Sequence, residues 1–322
     1  MAVADRARPV SVTHQHILTV LRTVLADGTV GPRNGVLRIL EIGCGDGRLI
    51  DYLQGALAAV CPGLAIELHG FDIGEQGYKD SGQIGAAARL LARHHPGIDW
   101  AQRIRMLSDR EAWGYPAGAF DIAVSNQVLE HVGDLPAFLA NVRQALRPGG
   151  VSVHLFPLRS CVIEAHCGTP FAHWIRDFDR RVAWIGWTSR LGIGRYRHDR
   201  AVLGHASPAM HAVETAKYIQ CWTSYRRFRD IADECYRLGM AVSGGFTKDF
   251  FLAKLRAMAR RPQPARYRRW PPGLAWLSFV AGRYASSSTL LIRPLEYDIG
   301  RRIAAEKAAA LLPDGAPERV AA

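Results

Sequence analysis

The residues of this sequence best suited to chemistry form one short run, Glu41-Ile42-Gly43-Cys44-Gly45-Asp46-Gly47. Glycine lacks a Cβ, so such a loop adopts left-handed angles and lets a ligand come close to the backbone. If a helix follows, its first N–H groups face the ligand. A dinucleotide fingerprint, G-x-G-x-x-G, needs its third glycine at position 48. That residue is Arg48, and the pattern is G-x-G-x-G. A second group of interest is the histidines His131, His154, His166 and His173. Histidine titrates near neutral pH and serves as a base or a substrate contact. Glu164, His166, Cys167 and His173 are also potential metal ligands, but spacings of two, one and six residues match no structural zinc pattern. No metal is expected there.

The elements that must position these groups alternate. A helical stripe over 13–26 ends at Asp27-Gly28, and apolar runs over 36–42, 64–73, 104–107, 120–128 and 151–157 read as strands. Between them lie helical segments, one after the glycine loop and one over LPAFLANVRQAL, stopped by Arg147-Pro148-Gly149-Gly150. Strands alternating with helices imply βαβ units and a mainly parallel sheet. From 158 to 224 the sequence shows no clean period. Regular signals return as a helix in YRRFRDIADECYRLG, a helix over 249–260, and strands in MAVSGGFT and STLLIRPL. No internal repeat of 20 to 50 residues is visible.

In this order the motifs resemble those of the class I S-adenosylmethionine-dependent methyltransferases. ExGxGxG follows the first strand, Asp72 closes the second, and Ser108-Asp109 precedes a Gly-Tyr-Pro-Ala-Gly segment that leads into Phe120-Asp121. Ser125 to Val132 looks like the family's exit from strand four, and Leu146 to Gly150 like its turn before strand five. The resemblance covers about residues 36 to 157. It implies an α/β, Rossmann-like fold with a seven-stranded, mainly parallel sheet, helices on both faces and a substrate insert after strand five. It also implies S-adenosyl-L-methionine as cofactor, held by Glu41, Gly43, Cys44, Gly45, Asp72, Ser108, Asp109, Asn126 and Gln127. Asp72 would meet the ribose hydroxyls and Asp109 the adenine amino group. One departure is the 31-residue step from Glu41 to Asp72, against about 20 in nucleotide folds. A longer helix and the Cys61-Pro62-Gly63 loop absorb it.

For the acceptor, the exit from strand four lacks the Asn/Asp-Pro-Pro-aromatic tetrad of base-amine methylation and a Cys beside Pro for cytosine carbon. A nucleic-acid substrate is therefore disfavoured. The expected reaction is methyl transfer to an oxygen or nitrogen of a small molecule, with a sugar or lipid-linked acceptor preferred and His131, His166 and His173 as the candidate catalytic set. Alternatives are a non-catalytic adaptor on the same fold, a nicotinamide oxidoreductase or an RNA methyltransferase. The chain is expected to divide into a cap (1–35), a cofactor core (36–157), a substrate insert (158–224), a segment completing the sheet (225–295) and a tail (296–322).

Composition bounds the remainder. The 322 residues are 48% hydrophobic and 22% charged, ordinary for a globular protein. Six scattered cysteines with no C-x-x-C pair suggest reduced thiols and a cytoplasmic setting. MAVADRARPVSVTHQHIL carries no apolar h-region, so no secretory signal is expected. The +12 net charge is uneven: residues 1–157 carry 14 Lys and Arg against 15 acids, and residues 158–322 carry 27 against 14. Seven cations and no acid lie between Lys254 and Arg269, followed by Trp270, Leu274, Trp276 and Leu277. Such a stretch suits a peripheral contact with anionic lipid through 254–280.

Overall fold

The structure, a computed structural model, describes residues 11–73, 82–107 and 112–295. Ser108, Asp109 and the tail 296–322 lie outside the described residues. Among those described, seven strands form one sheet in the order β3-β2-β1-β4-β5-β7-β6: β1 (Val36–Ile42), β2 (Ala65–Ile73), β3 (Ile104–Leu107), β4 (Phe120–Asn126), β5 (Leu146–Phe156), β6 (Met240–Ser243) and β7 (Ser288–Pro294). The first five are parallel, and β7 runs antiparallel to both neighbours.

Each central strand feeds two cores. In β1, Leu37 and Ile39 face one hydrophobic cluster while Leu40 and Ile42 face the other. A sheet covered on both faces needs apolar residues at every step, which is why its strands read as continuous runs. One face is covered by α1 (Val12–Ala26), α2 (Arg48–Val60) and α3 (Gly82–His94); α4 (Trp100–Arg103) is a single turn before β3. The other face carries α5 (Leu135–Ala145), α9 (Phe228–Arg237) and Phe279 of α11 (Pro272–Ala285). Ser11 caps α1 and Asp134 caps α5. The 31-residue step to Asp72 is taken up by the 13 residues of α2 and a turn before β2.

The region without clean period, 158–224, is helical. It contains α6 (Phe178–Arg190), α7 (Tyr196–Val202) and α8 (Pro208–Trp222), with a separate small core of Cys167, Ala172, Ile185, Ala212, Ala216 and Ile219. The apolar stretch after Trp270 is the helix α11, entered through Pro271-Pro272, and the helix expected over 249–260 is α10 (Thr247–Met258). The expected turn at 147–150 lies inside β5. There the pairing shifts from Phe120↔Leu146 to Ile122↔Val151, a bulge with Gly149 at φ 72°. Arg147 of that bulge donates to the fully buried Asp121, which also accepts from the Arg38 N–H at 2.8 Å. A buried carboxylate without such partners would cost several kcal/mol. None of the described helices is long and apolar enough to cross a membrane.

Two histidines are cross-ties within the core. His16 of α1 bonds the Tyr267 hydroxyl at 2.9 Å and Thr289 of β7 at 2.8 Å. His154 of β5 lies between Ser125 and Ser152, at 2.8 and 2.9 Å, and so belongs to the sheet interior. Burial pushes both imidazoles down to about 3. Below pH 6.5 the unfolded chain takes up protons that the folded chain refuses, so stability present above 6.5 is lost as pH falls. The loss should approach about 1.4 kcal/mol per histidine for each pH unit below about 6. Urea unfolding at pH 7.5 and 5.5 measures it. His154→Gln should remove about half of the slope these two groups cause, and an unchanged acid slope would contradict the assignment.

Candidate active site

The carboxyl edge of β1, β2 and β4 assembles the first half of the site. After Ile42 the chain turns through Gly43, Gly45 and Gly47, at φ 71°, 53° and 77°, into α2. The Gly43 and Cys44 N–H groups donate to the Phe71 carbonyl at 2.8 and 2.9 Å, tying the loop to β2. Asp72, buried at the end of β2, accepts from the Gly45 N–H at 2.6 Å and the Ile73 N–H at 2.8 Å. The glycine loop and the acid predicted to serve one ligand are thus in direct contact. Glu41 is buried at the foot of the loop, and Cys44 is buried too.

The loop after β4 presses on this turn. Gln127 is left-handed at φ 57°; its backbone N–H, and its side-chain amide at 3.4 Å, both donate to the Leu155 carbonyl. Next, Val128 packs so closely on Gly43 that a Cβ there would lie 2.5 Å from Val128 Cγ2. Asn126 donates to Thr13 at 3.5 Å, and its Oδ1 is buried without a hydrogen-bond partner among the described residues. Thr13 belongs to α1, as does His14, whose proton affinity burial lowers against the nearby Asp46 carboxylate. The amino-terminal helix therefore closes over the loop, a contribution that no motif signalled. Of the nine residues expected around the cofactor, seven lie along this edge; Ser108 and Asp109 fall outside the described residues.

The second half of the site begins two residues further on, in the turn Leu129–His131. His131 Nδ1 donates to the Trp222 carbonyl at 2.7 Å, which leaves the lone pair of the neutral ring on Nε2. Its ring lies 5.1 Å from that of His166, edge to face. His166 Nδ1 donates to the fully buried Glu164 at 2.7 Å, and Glu164 also accepts from the His166 and Cys167 N–H groups and the Tyr225 hydroxyl. Burial alone would raise Glu164, but the donors led by His166 outweigh it and hold the carboxyl at about 2. Glu130 has no hydrogen-bond partner for either carboxyl oxygen among the described residues, and burial, reinforced by the Glu164 charge, raises it to about 8. His173 donates to the Arg159 carbonyl at 3.2 Å and packs on Tyr225 at 4.5 Å between ring centres.

The three candidate catalytic histidines thus form one cluster: His166 meets Glu164 and Tyr225, His173 packs on Tyr225, and His131 packs on His166. Glu130, Tyr225 and Tyr218, whose ring lies 4.9 Å from that of His166, were missed. Glu130 is adjacent to a quoted histidine, whereas Tyr225 is 61 residues from Glu164 and had no local signal. Glu130, His131 and His166 each offer one ligand atom, all within 4.8 Å of one another, and can hold a divalent ion. That is a different set from the one the spacing after Glu164 had raised.

Residues 15–206 match the model of the family described as "Methyltransferase domain". The mitochondrial ubiquinone biosynthesis O-methyltransferase of Mus musculus is 29% identical over 160 residues, covering 48% of this chain and 38% of that protein. The ubiquinone biosynthesis O-methyltransferase of Bradyrhizobium sp. is 33% identical over 118 residues, 36% of this chain and 38% of that one. The matches thus span well under half the length of these relatives. Among solved structures, geranyl diphosphate C-methyltransferase from Streptomyces coelicolor A3(2) covers 87% of this chain and 77% of its own, at 12% identity and a TM-score of 0.42. The chain belongs to the methyltransferase-domain family, within the class I, S-adenosylmethionine-dependent methyltransferases.

Gly43 offers the sharpest test of the loop. Gly43→Ala forces a left-handed alanine, which costs about 1–3 kcal/mol, and drives a methyl into Val128. The variant should unfold at a lower temperature and lose the thermal shift given by S-adenosylmethionine. Adding Val128→Ala should restore part of the stability, since it relieves the contact but not the φ angle. A full thermal shift in Gly43→Ala would refute the close-approach argument.

Proposed function

We propose that the protein moves a methyl group from S-adenosylmethionine to an oxygen atom of a small-molecule acceptor. The observation that carries this reading is the Glu164–His166 pair beside the turn after β4. A hydroxyl must lose a proton as it is methylated, whereas a neutral amine can attack unaided, so a positioned base favours oxygen. Glu164 fixes the His166 tautomer with Nδ1 as donor, and Nε2 is then the basic atom. His131, with its own Nδ1 on a carbonyl, presents a second basic nitrogen beside the first. The relatives are O-methyltransferases of ubiquinone biosynthesis, which favours the same acceptor atom.

The residues present suit the cofactor. Gly43 and Gly45 turn the loop through left-handed angles at the carboxyl edge of the sheet, and Asn126 keeps an unpartnered buried carbonyl oxygen on the neighbouring strand. Gly43, Cys44, Gly45 and Asn126 would hold the methionine end, with Asp72 on the ribose hydroxyls and Glu41 and Gln127 bracing the loop. Ser108 and Asp109 are assigned to the adenine by the family resemblance. When bound, the cofactor supplies an electrophilic methyl group on a cationic sulfur. The chain's own work is to align the acceptor, which supplies most of the acceleration, and to take its proton. His173 with Tyr225 would shape the acceptor pocket.

His166→Ala should lower methyl transfer by about 10²–10⁴-fold, read as S-adenosylhomocysteine release with a panel of hydroxyl acceptors. The variant should still show the thermal shift of about 4 °C expected at about 100 times the dissociation constant of S-adenosylmethionine. Undiminished turnover would remove the base, and a lost thermal shift would place His166 in the cofactor site instead.

A lipid-linked acceptor is favoured over a glycan by the surface around α11. Trp270, Leu274, Trp276 and Leu277 are exposed beside the exposed Arg266 and Arg268. Aromatic and cationic side chains sharing one face suit an interface with anionic lipid. The protein should sediment with vesicles containing phosphatidylglycerol but not with phosphatidylcholine alone. A Trp276→Ser, Leu277→Ser variant should lose most of that binding, and equal binding by the variant would exclude this face.

A further inference from the structure

We propose that Asp199, His205 and His211 form a binding site for a first-row transition metal ion, Zn2+ in the first instance, which clips the corner between α7 and α8. The three residues lie six and six positions apart, in the first turn of α7, in the loop after it and in the first turn of α8. Each offers one ligand atom, and all lie within 4.8 Å of one another. His205 Nδ1 is 3.0 Å from His211 Nδ1, and His211 Nδ1 is 3.6 Å from Asp199 Oδ2. In a tetrahedral zinc site with ligands about 2.0–2.1 Å from the metal, neighbouring ligand atoms stand about 3.3 Å apart. The two observed edges bracket that value.

The surroundings prepare the donors. His198 Nδ1, at 3.0 Å, and Arg195 Nε, at 3.8 Å, engage Asp199 Oδ1, leaving Oδ2 turned toward His211. Such outer contacts orient ligating carboxylates. His211 is fully buried, and its ring lies 5.6 Å from that of Tyr196 and 5.2 Å from that of His205. Two imidazole nitrogens and a carboxylate oxygen therefore converge on one point. An N₂O set with one position open to water suits zinc and its transition-metal neighbours better than magnesium or calcium.

The structural setting gives such an ion a role. The helices α6 and α8 close on a separate cluster of six buried apolar residues, three of them alanines, with Phe178 and Val182 partly buried against it. A core that small contributes little on its own, and small units commonly rely on a metal or another cross-link. This site shares no residue with the Glu130, His131 and His166 group and does not depend on the methyl-transfer reading.

The test is a Zn2+ titration of chelator-treated full-length protein, followed by calorimetry and thermal unfolding. The wild type should bind zinc here at micromolar concentration or tighter and gain about 4 °C at about 100 times the dissociation constant. His205→Ala, a partly exposed position whose fold circular dichroism checks, and Asp199→Asn should each weaken binding at least tenfold and lose that gain. The zinc and the thermal gain that are lost in His205→Ala should persist in His166→Ala. The proposal fails if the wild type binds no zinc at 100 µM, if His205→Ala binds as the wild type does, or if His166→Ala alone abolishes binding.

Discussion

The buried Glu164 carboxylate is the constraint around which the histidine cluster after β4 and β5 is organised. A lone carboxylate out of water is too costly to keep, and four donors make this one tolerable: two N–H groups of its own turn, the His166 ring and the Tyr225 hydroxyl. The first two hold the loop after β5 in shape. The Tyr225 hydroxyl ties that loop to the segment after α8. The charge also acts at a distance, helping to keep Glu130 protonated and the Tyr225 phenol un-ionised. One side chain thus couples the shape of this cluster to the protonation state of its members.

The cluster needs an anchor in the sheet, and the turn after β4 supplies it. Ligands of open α/β sheets meet the carboxyl ends of the strands, and here β1 and β4 are neighbours. The left-handed Gln127 redirects the chain so that Val128 faces Gly43 while Glu130 and His131 continue toward Glu164 and His166. A single turn of backbone therefore touches both the glycine loop and the histidine cluster. That closeness is what a direct transfer between two bound molecules requires, since rate depends steeply on the distance and angle at which reactants are held.

How much of this was readable from sequence follows from what each segment buries. The strands of the sheet were legible because both faces are covered, so Val36–Ile42 and Phe120–Asn126 are apolar runs, and the class I fold followed from them and the glycine loop. The helices α6, α7 and α8 of the segment 158–224 were not. α6 buries Arg181, Gly186, Thr188 and Ser189 along with Ile185, and α8 buries His211, Ala212, Thr215 and Ala216 along with Ile219. Small and polar residues pack those faces, so no apolar stripe marks them. The candidate histidines could be chosen by position after β4 and β5, whereas Tyr225 and the closing helix α1 join the site only through tertiary contacts.

The positive charge of the second half needs the same distinction between composition and placement. Much of the arginine excess works inside the fold. Arg181, almost wholly buried, donates to the Ile175 carbonyl, and Arg226 donates to those of Val132 and Gly133. Arg269 pairs with Asp27 at 2.8 Å and lies over the Phe246 ring, and Lys248 pairs with Asp249 and lies over Trp270. A guanidinium offers five donors in a fixed plane, which suits it to satisfying carbonyls where the chain is irregular. An argument from net charge alone therefore overstates the surface meant for a partner. What stays relevant is the narrower set of exposed cations, Arg256, Arg260, Arg261, Arg266 and Arg268. Their sequence runs directly into Trp270 and α11, and it is this joint exposure of charge and apolar surface that distinguishes the face.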